Sequence, residues 1–315
     1  MQRKCKGMKR KIKNAGRVLA SWLYPMATYC VCCGNLIDQS RSYCLCDHCI
    51  RRIEWGWLTV DLAAQAEESG RANHLDSAVA CITYGLYGRR LIFDLKYNKH
   101  TYTARIIADI LADRLLSDPD ATYLLDADLL VPVPLHAKRL AQRGFNQTSK
   151  IARHLATRLR ESAETLRDAE RLRDAGWMRD AGREQDAGWM RDAGREQDAV
   201  RKQDAVCEPP HYPRLLDGAL LRSRETTPQR ALSAEERYEN LDGAFSIRPG
   251  KQPQIAGARI LLLDDAYTTG ATADQCAKVL KEAGAEEVHL AALATGNHFT
   301  SGHFPSANRS EIFVP

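Results

Sequence analysis

The stretch Leu261–Thr272, LLLDDAYTTGAT, decides how the rest of the chain is read. Its leucines continue an apolar run that begins at Arg259, a composition suited to a buried parallel strand over Arg259–Leu263. Two adjacent carboxylates follow, Asp264 and Asp265. Next comes a loop of small and hydroxyl-bearing residues: Ala266, Tyr267, Thr268, Thr269, Gly270, Ala271 and Thr272. A helix is predicted over Ala271–Ala283, closed by Gly284. This order makes a cradle for a phosphate. Backbone N–H groups and threonine hydroxyls can surround the anion, and the helix dipole adds about 0.3–1 kcal/mol near a surface. Gly270 permits a backbone geometry or a close approach that other residues resist. Two carboxylates beside an anion would repel it unless they faced hydroxyls or a cation. A ribose diol accompanied by Mg²⁺ meets both needs.

A second loop agrees with the first. In VPVPLHAKRLAQRGFNQ (131–147) a short buried strand, Leu129–Val133, is stopped by Pro134 and leads to Lys138, Arg139 and Arg143. Cations at the carboxyl edge of a sheet can neutralise a pyrophosphate, although three cations alone are as well explained by a solvated loop. Elsewhere short apolar runs alternate with amphipathic stretches. Strands are expected at Ala78–Tyr84 and Glu287–Ala294, and helices at Arg89–Tyr97, Ala104–Leu116 and Asn146–Leu159. The expected fold class is therefore α/β, a mostly parallel sheet with flanking helices.

Six of the ten cysteines fall between positions 30 and 49. Cys30-x2-Cys33 and Cys46-x2-Cys49, twelve residues apart, have the spacing of two knuckles closing a tetrahedral structural Zn²⁺ site. Cys32, Cys44 and His48 lie close enough to replace one of the four. All four positions are filled by protein, so the metal is expected to be structural. The chain divides into a basic segment (1–27), the zinc ribbon (28–55), a polar connector (56–76) and the α/β domain (77–315).

From Arg167 the triplet [RQ]DA recurs every six residues up to position 203, and residues 164–206 read as a low-complexity insertion in a surface loop. Its tryptophans, Trp177 and Trp189, are better explained by duplication than by base stacking. The net charge of +5 is concentrated at the start, where eight cations precede the first acidic residue, Asp38. That run suits contact with nucleic acid or anionic lipid, and equally a solvated tail. No apolar run approaches the roughly 20 residues needed to span a bilayer, and the expected location is cytoplasmic.

The ribbon is followed by Leu95-Lys96-Tyr97, by VPVP…RGFNQ, and by a segment with Arg224, Thr227, Gln229, Leu232, Arg237, Asn240 and Phe245. LLLDDAYTTGAT comes last. In this order the motifs resemble the ComF family of amidophosphoribosyltransferase-like competence proteins, over about residues 20–295 apart from the repeat. The acidic pair with its TTGAT loop resembles the phosphoribosyl pyrophosphate (PRPP) motif of type I phosphoribosyltransferases. The resemblance implies that Asp264 and Asp265 hold the ribose 2′- and 3′-hydroxyls, that residues 266–272 hold the 5′-phosphate, and that Mg²⁺ accompanies PRPP. It further implies a part in DNA uptake during transformation, with single-stranded DNA and competence-machinery proteins as partners. Ala266 stands where many relatives have a branched aliphatic residue. Two functions fit: pyrophosphate-releasing transfer to an unidentified acceptor, or a non-catalytic PRPP-sensing adaptor that uses the ribbon and basic segment. A salvage enzyme with a purely structural ribbon is less expected, because no base-specificity segment is recognisable.

Overall fold

The structure, a computed structural model, describes residues 29–38, 42–97, 101–118, 121–174, 212–224 and 234–296. The basic segment 1–27, residues 175–206 of the repeat, and Thr227, Gln229 and Leu232 lie outside these residues.

In chain order the elements are α1 (Asp47–Ile50), β1 (Trp55–Thr59), α2 (Leu62–Ser69), β2 (Ser77–Thr83), α3 (Leu86–Tyr97), α4 (Thr103–Ser117), α5 (Thr122–Leu125), β3 (Leu129–Pro132), α6 (Ala137–Arg143), α7 (Gln147–Asp174) and β4 (Arg214–Leu215). They continue with β5 (Leu220–Arg222), α8 (Ala234–Leu241), β6 (Phe245–Ile247), α9 (Gln252–Ile255), β7 (Arg259–Tyr267), α10 (Ala271–Glu282) and β8 (Glu287–Thr295). The main sheet has the order β1-β2-β8-β7-β3-β4, while β5 and β6 form a separate two-stranded sheet. All neighbours in the main sheet are parallel except β1 and β2. The expected α/β class with a mostly parallel sheet is what the chain adopts.

The apolar run of β7 is explained by helices on both faces. Leu261 and Leu263 pack with α3, α4 and α7, whereas Ile260 and Leu262 pack with α10 and the β5–β6 region. A strand covered on both sides has no reason to alternate with polar residues. The topology then places the site. After β3 the chain crosses outward to β4, and after β7 it crosses the other way to β8. The order reverses between β3 and β7, and ligands of open α/β sheets bind outside the carboxyl ends at such a point.

Three expectations need correction. The strand β7 does not stop at Leu263 but runs through the acidic pair to Tyr267. Asp264 and Ala266 pair with Ala292 and Ala294, and Tyr267 with Thr295. The long β8 supplies ladder partners for these residues, so the loop shrinks to Thr268–Gly270. The polar connector contains β1 and α2, and β1 adds an antiparallel edge to β2. Finally, α7 continues far beyond Leu159 into the first repeat residues, to Asp174. Ala, Arg, Glu and Leu favour a helix there, and no glycine interrupts the chain before Gly176.

The ribbon shares a core with the sheet domain. Leu45, Cys49 and Ile53 are buried in the same cluster as Leu91, Leu95 and Ile107. Tyr43 donates to Asp113 at 2.9 Å, and the Trp55 indole donates to the Ile50 carbonyl at 2.7 Å. Among the described residues no helix is long and apolar enough to cross a membrane.

Candidate functional site

The reversal between β3 and β7 opens a cleft of about 740 Å³. Its floor is Asp264 to Ala273, and its walls come from α3 and from the segment after β3. The cradle is tight. Gly270 has φ 77°, and a Cβ placed there would run into the Tyr267 hydroxyl. The left-handed turn lets α10 start at once, so its first residues, Ala271 to Ala273, join the cleft floor. The Tyr267 side chain is buried beneath Gly270. Its hydroxyl donates to Gln65 Oε1 at 2.7 Å, while Gln65 Nε2 donates to the Thr269 carbonyl at 3.2 Å. Helix α2, which no apolar periodicity announces, thus pins both ends of the loop.

At the N-terminus of α10, Asp274 accepts from the His74 N–H at 2.6 Å, with His74 Nδ1 a further 3.1 Å away. This contact is on the side of the loop held by α2, and it fixes the helix rather than lining the cleft.

The two carboxylates differ in their surroundings. Asp265 is buried and holds two partners: Lys96 Nζ donates to Oδ1 at 2.7 Å, and Gln147 Nε2 donates to Oδ2 at 2.8 Å. Arg143 in turn donates to Gln147 Oε1 at 2.8 Å and lies 5.5 Å over the Tyr97 ring. Asp264 keeps part of its surface toward the cleft, and its Oδ1 accepts from the Asp265 N–H at 2.8 Å. Burial, and then the neighbouring charge of Asp265, push the Asp264 carboxyl up to about 7, against the opposing pull of Lys96 and Arg222.

The predicted cations separate. Arg139 and Arg143 line the cleft, whereas Lys138 sits exposed on the first turn of α6 and does not. The hydroxyl-rich loop, the acidic pair and these two arginines are brought together from segments more than 100 residues apart. Lys96, Gln147, Arg222 and Arg237 also line the cleft but were not singled out as site residues by the sequence. A signal existed for three of them, since Lys96 lies in Leu95-Lys96-Tyr97, Gln147 ends RGFNQ and Arg237 stands in the Arg224–Phe245 segment. Arg222 had none. It is brought in by a parallel bridge between its backbone and His136 and sits 5.4 Å over Phe245. Burial, and then nearby Arg139, lower its pKa. With Arg89 added, six cations line the cleft beside two carboxylates, and the cleft is built for an anion.

The metal centre lies at the other end of α3. The sulfurs of Cys30, Cys33, Cys46 and Cys49 all lie within 4.8 Å of one another, and those of Cys33 and Cys46 are 3.6 Å apart. Tetrahedral Zn–S bonds of about 2.3 Å put sulfurs about 3.8 Å apart, so the donor set fits a structural metal site. Burial raises the Cys30 thiol, but N–H groups of Cys46, Cys33 and Cys32 outweigh it and bring the pKa down to about 7. The three spare candidates are used otherwise or stand outside the cluster. The Cys32 thiol donates to the Tyr87 carbonyl at 3.6 Å, and burial pushes it up to about 11. His48 Nε2 is 3.2 Å from the Tyr87 hydroxyl. Cys44, likewise raised by burial, is not one of the four sulfurs.

Comparison with known proteins agrees with this architecture. Residues 222–303 match the phosphoribosyl transferase domain family. The chain is 38% identical over 79 residues to Competence protein F of Haemophilus influenzae, covering 25% of this chain and 34% of that protein. It is 42% identical over 76 residues to Competence protein ComFC of Streptococcus pneumoniae, covering 24% of this chain and 32% of that one. A longer match, 25% identical over 200 residues, joins 64% of this chain to 63% of the DNA utilization protein YhgH of Salmonella typhimurium. The chain therefore spans about a third of the competence proteins' length and under two thirds of YhgH. The parallel sheet, the acidic-pair loop and the domain match define a phosphoribosyltransferase-like protein. Within that class, the relatives and the cysteine ribbon make the chain similar to the ComF-type competence proteins.

Proposed function

We propose that the chain binds PRPP together with Mg²⁺ in the cleft and serves a ComF-type role in DNA uptake or utilisation. The observation that carries this reading is the meeting of Asp264 and Asp265, the Thr268–Gly270 loop at the start of α10, and Arg139 and Arg143 in one cleft. Asp264 and Asp265 accept from the ribose hydroxyls, with Asp265 held in place by Lys96 and Gln147. Residues 266–272 take the 5′-phosphate, chiefly through backbone N–H groups and the threonine hydroxyls, since the Tyr267 side chain is committed to Gln65. Arg139 and Arg143 neutralise the pyrophosphate. Oxygen-rich donors of this kind suit Mg²⁺, which supplies further charge neutralisation when it accompanies PRPP. The four cysteines hold Zn²⁺ as a structural ion.

A second reading, PRPP sensing without turnover, is favoured by one observation. The described cleft residues include no histidine or cysteine, and no carboxylate beyond the acidic pair, to act as base toward an acceptor. The names of the relatives support the DNA role. The binding reading is tested by thermal unfolding with PRPP and Mg²⁺. The parent protein should gain stability as the ligand is raised above its Kd, and D264N/D265N should gain none. An equal gain in both would remove the acidic pair from the site. The DNA role is tested in cells: a strain carrying D264N/D265N should use or take up DNA as poorly as one lacking the protein.

A further inference from the structure

Lys96 has two sets of neighbours. It stands on the last turn of α3, and its ammonium lies 2.7 Å from Asp265 Oδ1 while remaining 22% exposed at the side chain and lining the cleft. An ammonium needed only to anchor a buried carboxylate has no reason to face the ligand space. Asp265 also has a second anchor. Gln147 Nε2 holds its other oxygen at 2.8 Å, and Gln147 is fixed by Arg143 at 2.8 Å. Asp265 therefore keeps its position if the lysine leaves. Lysine suits such a move, being a point charge on a flexible four-carbon stem. Its place is on the Arg143 side of the acidic pair, because the Arg143 guanidinium lies 5.5 Å over the ring of Tyr97, the residue next to Lys96. The 5′-phosphate loop, Thr268–Gly270, follows the C-terminal end of β7.

We propose that Lys96 is a pyrophosphate-binding residue held in reserve by Asp265: in the free protein it is the counter-charge of the acidic pair, and on ligand binding it transfers to a pyrophosphate oxygen. This rests on the PRPP reading above. When ribose hydroxyls donate to the carboxylates, Asp265 gains new partners and loses its need for the ammonium. The pyrophosphate meanwhile brings anionic oxygens to the Arg143 side, where the ammonium can form a charge-assisted hydrogen bond.

The test compares two ligands that differ only in the pyrophosphate. Calorimetric titrations with PRPP and with ribose 5-phosphate, each with Mg²⁺, are run on the parent protein, K96M and K96R. Losing one charge-assisted contact should weaken PRPP binding to K96M about ten- to a hundredfold while leaving ribose 5-phosphate within about twofold. K96R should recover most of the PRPP affinity. An equal loss for both ligands in K96M would reduce Lys96 to a positioning residue for Asp265 and overturn the proposal. A parent protein that binds neither ligand would instead overturn the PRPP reading itself. Should K96M fail to fold, labelling of the parent protein by an amine-reactive reagent, read by mass spectrometry, gives the answer. Lys96 should be protected more strongly with Mg²⁺ and PRPP than with Mg²⁺ and ribose 5-phosphate, and equal protection would contradict the transfer.

Discussion

The two adjacent aspartates have the same side chain and different chemistry. Asp265 has its two oxygens tied to an ammonium and an amide, while burial and the charge of Asp265 raise Asp264 to about 7. The sign of the consequence is fixed by linkage. A carboxyl near 3.8 in the unfolded chain and about 7 in the folded one binds more protons when folded between those values, so its contribution to stability falls as pH rises from about 4 to 7. Replacing it by Asn keeps an acceptor for the Asp265 N–H. D264N should therefore be more stable than the parent at pH 8, by a few kcal/mol, with the difference vanishing below pH 4; urea unfolding across pH checks this. Ligand affinity should move oppositely, rising through pH 7 in the parent as the carboxylate forms, and calorimetry at pH 6 and pH 8 reads it. The acidic pair was legible because it is contiguous and follows an unmistakable apolar run. Lys96 and Gln147 stood in visible motifs, but their roles were not legible, since their partner Asp265 lies 169 and 118 residues away.

At the scale of elements, those with strong periodicity were foreseen and the weak ones were not. The run RILLL identified β7, helices α3 and α4 announced themselves by apolar spacing, and α10 by its place between the loop and Gly284. The helix α2 did not. LAAQAEES carries few apolar residues, and its value is tertiary: it delivers Gln65 to Tyr267 and Thr269. Removing that amide frees the loop without touching the ligand. Q65A should weaken PRPP binding several-fold, consistent with loss of one or two neutral hydrogen bonds, while leaving the Mg²⁺ requirement unchanged; titration measures both. Helix α3 joins the two centres. One end meets the ribbon through Cys32 and His48, and the other carries Lys96. The repeat shows the opposite lesson. Its six-residue period argued against a helix, yet local propensity extends α7 into its first turns, as far as Asp174.

For the whole molecule, the reversal of strand order explains why so distant segments converge. The crossings after β3 and β7 diverge, leaving one crevice, and the cations and carboxylates gather around it. Sequence alone gave the class of fold, because alternation of strands and helices dictates it. The strand order came from pairings that no local pattern encodes. The boundary drawn between ribbon and domain also dissolves, since Leu45, Cys49 and Ile53 share a core with α3 and α4. The metal site should accordingly support the entire protein. C30S/C33S should release one Zn²⁺ per chain and lower the melting temperature of the whole protein in a single transition, measured by metal analysis and calorimetry. A ribbon that melts separately would show instead that the shared core contributes little.

A cleft that the acidic pair organises for PRPP must lose that ligand when the pair is removed. The most direct measurement is calorimetric titration of the full chain with PRPP and Mg²⁺, beside the D264N/D265N variant and with circular dichroism confirming that both are folded. Saturable binding of one PRPP per chain, lost in the variant, is the predicted result. A parent protein that takes up no PRPP, or a folded variant that binds it equally well, would contradict the account.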